Sequence, residues 1–222
     1  MINFDKFKEN ILPITLKHEG GFVNDPTDRG GMTYRGVSMR SNPDWDGWEL
    51  LKKHLPLNRG DIVNDRELCK SVAGLYWQKY FENNRFNELD SLRIALYLFD
   101  FAVHGGYSHI KLQKLLDKHF NAGIVKYADN FGSKTTKAVN DAGIKLLPHL
   151  INWREGHIDN ILAEDPTQKV FEKGWKNRIA SFKPVQIIPA NKKYIIIGIS
   201  AIALAIALYF IYKHTKGAKD DN

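Results

Sequence analysis

The chain has 222 residues, of which 43% are hydrophobic and 26% are charged, the proportions of an ordinary globular protein. Its net charge of +7 suits an anionic partner such as nucleic acid, anionic lipid or bacterial cell wall. The basic residues are scattered rather than clustered on one predicted helix face, which argues against nucleic acid. The single cysteine, Cys69, excludes an intrachain disulfide bond and lies in an apolar helical pattern that predicts burial. The dispersed histidines predict no metal site, and no motif indicates a cofactor.

The first predicted element is an amphipathic helix that begins near Asn3 or Asp5. Apolar residues recur along it at positions 4, 7, 11, 14 and 16, with Pro13 interrupting the pattern. The glycines at positions 20 and 21 signal its end, so Glu19 is predicted to be the last helical residue. A lone carboxylate at a helix end is ordinarily just solvated, but the loop that follows favours a functional site.

That loop is rich in glycine and carries two more carboxylates, Asp25 and Asp28. A glycosidase needs one acid held in an apolar wall, where it stays protonated, and a second carboxylate that stays ionised across a cleft. Helices hold side chains rigidly, and glycine loops let a polymer approach the backbone closely. The arrangement therefore predicts a glycosidase site that includes Glu19.

Residues 19–36, EGGFVNDPTDRGGMTYRG, resemble the signature of glycoside hydrolase family 108, E-G-G-[YF]-V-N-D-P-x-D-x-G-G-x-T-x-x-G. Members of that family are N-acetylmuramidases with a lysozyme-like helical fold, and many are phage or prophage endolysins. The resemblance implies that Glu19 is the catalytic acid. A looser similarity to phage-type lysozymes, in which a helix-end Glu-Gly precedes an Asp and then a Thr-x-x-Gly, makes Asp28 and Thr33 the other catalytic candidates.

In this assignment, Glu19 protonates the glycosidic oxygen between N-acetylmuramic acid and N-acetylglucosamine. Asp28 and Thr33 hold the attacking water, which by the same analogy makes the reaction inverting. Asp25 is the rival second carboxylate, and its other interpretation is an Asp-Pro turn that holds the loop. Further substrate-binding candidates are the loop glycines and nearby aromatic residues Gly30, Gly31, Tyr34, Trp45 and Trp48. The two tryptophans either stack on sugar rings or pack in the core beneath the loop.

Two helices follow in the central part of the chain. Asn64 or Asp65 caps a helix with apolar residues at positions 68, 72, 75, 76 and 80. Ser91 caps the helix 92–103, which is apolar on nearly all sides and is therefore predicted to be central and buried. Asp100 within it must be paired or hydrogen-bonded, and a structural anchor satisfied by the backbone or by an arginine is favoured over catalysis.

Residues 89–182 resemble the helical module that often follows the family 108 signature, a predicted peptidoglycan-binding domain. The matching pieces are LFDFAVHGG at 98–106, LQ at 112–113, FGSKT at 131–135 and GWKNR at 174–178. The sequence departs from the family at His104, where Asn is common, and at 129–131, where an Asp-Gly turn is usual.

A hydrophobic segment lies near the C-terminus. Pro184 and Pro189 mark a linker, and residues 194–212 carry no charge over a length that suffices to cross a bilayer, roughly 17–25 residues. Lysines and tyrosines flank the segment as interface anchors do. The pattern predicts a single-pass anchor, but its basic flanks are nearly balanced and do not orient it. The expectation that the catalytic domain lies on the cell-wall side comes from the predicted activity alone. Ala201 and Ala205 form a small-residue pair suited to helix self-association. The other interpretation of residues 194–212 is a buried helix of the soluble domain. At the other end of the chain, the first residues show no signal-peptide pattern.

The sequence therefore predicts a mainly all-α protein with a lysozyme-like catalytic region at 1–88 and a helical peptidoglycan-binding region at 89–182. A linker at 183–193, a transmembrane helix at 194–212 and a polar tail at 213–222 complete the chain. The predicted function is a membrane-anchored, endolysin-like N-acetylmuramidase that hydrolyses the β-1,4 bonds of peptidoglycan in phage-induced lysis. The alternative is a non-catalytic peptidoglycan-binding component of a virion or a secretion apparatus. A third hypothesis is that the hydrophobic tail itself permeabilises membranes.

Overall fold

A computed structural model describes residues 1–24, 31–125 and 131–182, all of which lie in the unit Met1–Lys183. These residues are mainly helical, as the sequence predicts. The helices are α1 (Phe4–Asn10), α2 (Leu12–Leu16), α3 (Gly47–Lys52), α4 (Arg66–Tyr76), α5 (Leu92–His104), α6 (His109–Phe120), α7 (Ser133–Ala142), α8 (Leu147–Glu164) and α9 (Glu172–Ala180). A π-helical turn, Trp77–Glu82, continues α4, and 3-10 turns span Phe86–Glu88, Gly143–Leu146 and Pro166–Phe171.

A small antiparallel sheet of order β1-β2-β3 lies between α2 and α3 in sequence. Its strands are β1 (Phe22–Val23), β2 (Thr33–Tyr34) and β3 (Val37–Ser38). Val23 pairs with Thr33, and Thr33 also pairs with Ser38 on its other side. The segment 25–30, which holds Asp25 and Asp28, joins β1 to β2 and lies outside the described residues.

Side-chain caps begin four of the described α-helices, α1, α4, α5 and α6, and Ser108 caps the last of these. The Asn3 side chain accepts a hydrogen bond from the Lys6 N–H at 2.9 Å, so Asn3 rather than Asp5 caps α1. Asp65 rather than Asn64 caps α4. Ser91 caps α5, as predicted.

The first predicted helix is divided in two, and its predicted end is wrong. The α1 helix ends at Asn10, and α2 begins at Leu12 with Pro13 in its first turn. Proline lacks an N–H and clashes with the preceding turn, so it is tolerated at a helix start and not within one. Because α2 ends at Leu16, Glu19 is not the last helical residue but lies in the turn beyond it.

The α5 helix lies in the hydrophobic core, as predicted. Its Phe99 is fully buried, with ring centroids 5.1 Å from Phe7 on α1 and 5.7 Å from Phe81 in the π-helical turn. Side chains from the predicted regions 1–88 and 89–182 therefore share one core. By contrast, Cys69 is exposed on α4, and the prediction that it is buried is wrong, because Leu68 and Val72 form the buried face of that helix.

The predicted localisation, a single-pass membrane anchor, is contradicted. Within the described ranges, no helix combines the length and the apolar character needed to cross a bilayer. The apolar α5 has 13 residues, about 20 Å of helix against a hydrocarbon core of about 30 Å. The α8 helix has 18 residues but carries charged side chains, among them Arg154 and Asp159. The segment 194–212, with Ala201 and Ala205, lies outside the described residues.

Candidate active site

Glu19 lies in the turn that joins α2 to β1. Its N–H donates to the Leu16 carbonyl oxygen at 3.3 Å, which satisfies one of the last carbonyls of α2. Gly20 then takes a φ of +70°, a conformation that glycine adopts without strain and that lets the chain turn into β1. The Glu19 side chain is 17% exposed, so its carboxyl group is largely withdrawn from water but not sealed off.

The ionic partner of Glu19 is Arg178 on α9. Arg178 Nη2 donates to Glu19 Oε1 at 2.7 Å, and the Arg178 side chain is only 7% exposed. The same guanidinium also donates to Asp100 on α5, from Nε to Oδ2 at 3.0 Å and from Nη2 to Oδ1 at 2.8 Å. A single buried arginine therefore bridges the carboxylates of Glu19 and Asp100.

Asp100 also pairs with a second buried cation. Arg154 Nη2, on α8, lies 2.8 Å from Asp100 Oδ2, and both side chains are fully buried. Burial alone raises the pKa of Asp100, but the hydrogen bonds and charges of Arg178 and Arg154 outweigh it and hold the pKa below its ordinary value. The interpretation of Asp100 as an anchor satisfied by arginine is confirmed.

The turn between β2 and β3 packs against the other side of Glu19. Arg35 and Gly36 both have positive φ, 50° and 78°, as a two-residue hairpin turn requires. A Cβ atom on Gly36 would meet the Tyr76 hydroxyl and lie 2.8 Å from Glu19 Oε2. The Tyr76 hydroxyl itself donates to the Arg35 carbonyl oxygen at 2.8 Å and so holds the turn in place. Glycine at position 36 therefore leaves the room that the Glu19 carboxyl occupies.

These surroundings raise the pKa of Glu19 above its ordinary value. Burial is the largest cause, because it disfavours the charged carboxylate, and the charge and hydrogen bond of Arg178 oppose it without cancelling it. Tyr76 and Tyr80 lie nearby, and burial together with the Glu19 charge raises the pKa of each phenol, which keeps both neutral. A carboxyl group in this environment can donate a proton at a higher pH than an exposed glutamic acid can.

The remaining predicted catalytic residues are only partly described. Thr33 lies at the start of β2, and its hydroxyl donates to the Gly31 carbonyl oxygen at 3.2 Å. Asp25, Asp28 and Gly30 fall outside the described residues. The identity of the second carboxylate, and the water-holding role of Thr33, therefore stay predictions.

The aromatic candidates are packed into the core. Trp45 and Trp48 are 8% and 3% exposed, and their rings meet edge to face with centroids 4.8 Å apart. Their indole N–H groups donate to the Ser71 and Asn42 carbonyl oxygens at 3.4 and 2.7 Å. Of the two interpretations, this geometry favours packing in the core over stacking on sugars.

Tyr34, the third aromatic candidate, is 2% exposed. Its hydroxyl accepts a hydrogen bond from the Val63 N–H at 3.0 Å and lies 3.3 Å from the Val63 carbonyl oxygen. The ring is thus buried and its hydroxyl is hydrogen-bonded within the protein. The predicted substrate contact by Tyr34 is not supported by this placement, because the hydroxyl is committed to the backbone beside α4.

Sequence reasoning missed Arg178 and Tyr76 as neighbours of Glu19. A buried Asp100 indicates a buried cation somewhere, and the GWKNR piece at 174–178 supplies one. Nothing in the spacing indicates that this cation also reaches Glu19. Across the described ranges, no group of three or more His, Cys, Asp or Glu side chains is placed to hold a metal ion.

Comparison with known proteins gives one family match. Residues 12–106 match the model of the family Glycosyl hydrolase 108, a range that contains Glu19 and ends before α6. No curated protein matches the chain. Among solved structures, SagA of Brucella abortus is similar, with a TM-score of 0.47 and 23% identity over 81% of this chain and 90% of that chain.

Proposed function

We propose that this protein is an N-acetylmuramidase that hydrolyses the glycan strands of bacterial peptidoglycan. The observation that carries the proposal is the Glu19 carboxyl group, which is largely buried and has a raised pKa. Glu19 lies within the range that matches Glycosyl hydrolase 108. The match supports glycoside hydrolysis, and the environment of Glu19 is the one that a general acid needs. The specific choice of the bond between N-acetylmuramic acid and N-acetylglucosamine rests on the resemblance in residues 19–36.

In the proposed mechanism, Glu19 donates its proton to the glycosidic oxygen as the bond to the sugar breaks. Oε1 accepts a hydrogen bond from Arg178. Because a guanidinium only donates hydrogen bonds, a proton on Oε1 would face a donor, so the transferable proton sits on Oε2. Asp28, with Thr33, is proposed to hold and activate the water that attacks the anomeric carbon. That arrangement inverts the anomeric configuration and needs carboxyl groups roughly 6.5–9.5 Å apart. Asp25 is the alternative second carboxylate.

The charge of the chain supports an anionic wall polymer as the partner. A net charge of +7 draws the protein toward teichoic acids and peptide carboxylates, and the scattered arrangement of its cations does not suggest a nucleic-acid surface. We propose residues 89–182 as the part that contributes wall binding, on the resemblance alone. Phage-induced lysis is the biological setting that we propose on the same ground.

The test is digestion of purified peptidoglycan followed by analysis of the new ends. Borohydride reduction of the products should convert N-acetylmuramic acid, and not N-acetylglucosamine, to its alditol. New glucosamine ends would change the assignment to a glucosaminidase, and free peptide amines without new reducing ends would exclude a glycosidase. A protein that sediments with peptidoglycan but releases nothing would support the alternative, a non-catalytic wall-binding protein.

A further inference from the structure

Arg178 lies beyond the range that matches the family, yet it contacts Glu19 directly. We propose that Arg178 is a positioning residue, whose guanidinium, held by Asp100, fixes the orientation of the Glu19 carboxyl group for proton donation. The inference rests on the proposed function of Glu19 as the general acid.

The backbone around Glu19 does not by itself fix the orientation of the side chain. It lies in a turn rather than in a helix, so its own backbone gives the side chain little support. A free glutamate side chain has several rotamers, and confining it to one of them costs conformational entropy. An external contact must therefore select one rotamer, and the 2.7 Å bond from Arg178 Nη2 to Oε1 is suited to do so.

Arg178 can serve this role because it is itself fixed. Its Nε and Nη2 both donate to Asp100, which holds the plane of the guanidinium, and Arg154 forms a second ion pair with Asp100. The three supporting residues come from α9, α5 and α8, and all are buried or nearly so. Charge-assisted bonds of this forked kind give geometric precision as well as energy. A lysine at position 178 would keep the charge but could not reproduce the fork.

The same contact affects how Glu19 titrates. The charged and titratable groups of this cluster come from the turn after α2, the β2–β3 turn, α4 with its π-helical extension, α5, α8 and α9. They are His18, Arg35, Tyr76, Tyr80, Asp100, His104, Arg154 and Arg178. Arg178 lowers the pKa of Glu19, and Asp100 raises it. Burial and the two arginines lower the pKa of His104 to about 4, so His104 stays uncharged in the neutral range. Loss of the Arg178 charge should consequently raise the pKa of Glu19 further.

The decisive experiment compares Arg178→Gln and Arg178→Lys with wild type in two measurements. The Glu19 carboxyl carbon is followed by NMR against pH, and kcat and KM are measured on soluble peptidoglycan fragments. In Arg178→Gln, the Glu19 midpoint should rise by about 1 pKa unit or more, and the alkaline limb of kcat/KM should move with it. In Arg178→Lys, kcat should fall by about tenfold or more with little change in KM, because a small misplacement of a catalytic group is costly.

A matched control is available on the same helix. Lys173→Gln removes one positive charge at an exposed position of α9 and should change neither the Glu19 midpoint nor kcat. If Arg178→Gln does not fold, the contact between Arg178 and Glu19 can be tested in the wild-type protein instead. The Arg178 side-chain NMR signals should then titrate with the Glu19 midpoint and lose that response in Glu19→Gln.

The two hypotheses fail in different ways. An unchanged Glu19 midpoint in Arg178→Gln, or Arg178 signals that ignore Glu19 in wild type, would overturn the positioning role. Full hydrolysis by Glu19→Gln would instead overturn the proposed function, whatever the titration shows.

Discussion

Arg178 Nη2 lies 2.7 Å from Glu19 Oε1 although 159 positions separate the two residues in sequence. The contact ties the turn after α2 to the last described helix, α9. The immediate surroundings of the candidate acid are therefore built from both predicted regions, 1–88 and 89–182. A fragment confined to the first of them would lack both Arg178 and Asp100.

Replacing the candidate acid tests the proposed function most directly. Glu19→Gln keeps the size of the side chain but removes its acidic proton, so hydrolysis of peptidoglycan should fall by about 10²- to 10⁴-fold. The rate of reducing-end release measures the loss, and far-ultraviolet circular dichroism checks that the fold is retained. Hydrolysis at the wild-type rate would exclude Glu19 as the acid.

The same variant should have a pH-dependent effect on stability. The folded pKa of Glu19 is raised, so the folded state favours the protonated form and loses stability as pH rises through that pKa. Glu19→Gln has no such penalty. It should be more stable than wild type at pH 7 in urea unfolding, and the advantage should shrink as the pH is lowered. A constant difference between pH 4 and pH 7 would contradict the direction of the shift.

The second carboxylate can be identified by comparing Asp28→Asn with Asp25→Asn. Each change keeps the size of the side chain and removes its ability to act as a base. We expect Asp28→Asn to lose about 10²-fold or more in rate and Asp25→Asn to lose less. The reverse order would exchange the two roles. The anomeric configuration of the first product, read by NMR, tests inversion separately, since a retained β-anomer would exclude a water-holding role for Asp28.

Local signals in the sequence were sufficient for much of the fold. The caps at Asn3, Asp65 and Ser91 depend on residues within one turn of each other, and the apolar character of α5 requires burial wherever the helix lies. The end of the first helix is not predictable from periodicity, because Pro13 and Gly20 are both residues that interrupt helices. In the structure α1 ends before Pro13, and α2 ends at Leu16, four residues before Gly20.

The contacts of the candidate site could not be predicted in the same way. The bridge from Glu19 to Asp100 through Arg178 depends on how α5, α8 and α9 pack together, which no short-range pattern specifies. Trp45 was ambiguous for a related reason, since an indole ring suits both a sugar and a core. Its burial, its edge-to-face contact with Trp48 and the 3.4 Å bond from its N–H to the Ser71 carbonyl oxygen indicate the core.

Gly36→Ala tests the close packing of the β2–β3 turn against the Glu19 carboxyl group. The added methyl group would meet the Tyr76 hydroxyl and crowd Glu19 Oε2, and the φ of +78° costs roughly 1–2 kcal/mol for a residue with a side chain. Activity should fall by about tenfold or more because the carboxyl must move. Thermal unfolding and reducing-end release measure the two effects.

Gly105→Ala is the matched control for that strain. Gly105 has a φ of +94° at the end of α5, and a Cβ there would have no atom within 4 Å outside its immediate neighbours. It should lose a similar amount of stability while keeping the wild-type rate at permissive temperature. Equal loss of activity in both variants would show that Gly36 acts only through backbone strain.

Asp100→Asn tests the buried ion cluster. The change leaves Arg178 and Arg154 without their shared buried anion, and breaking a buried pair in this way costs about 3–5 kcal/mol. For a chain of this size, the expected fall in Tm is about 6–20 °C. The control is Asp5→Asn, which breaks an exposed pair with Lys8 and should cost about 0–1 kcal/mol. Equal losses in the two variants would refute the structural importance of the cluster.

The pH dependence of the stability lost in Asp100→Asn shows how much of that stability is electrostatic. The pKa of Asp100 is lower in the folded state than the value of about 3.9 expected in the unfolded chain. Its ionised form therefore stabilises the fold fully above about pH 5, and the contribution declines as pH falls through the unfolded and then the folded pKa. The difference in the free energy of unfolding between wild type and Asp100→Asn should be constant from pH 5 to pH 7 and shrink in more acidic solution. A difference that stays constant in acid would mean that Asp100 acts through packing, and that Arg178 is held at Glu19 by something other than this carboxylate.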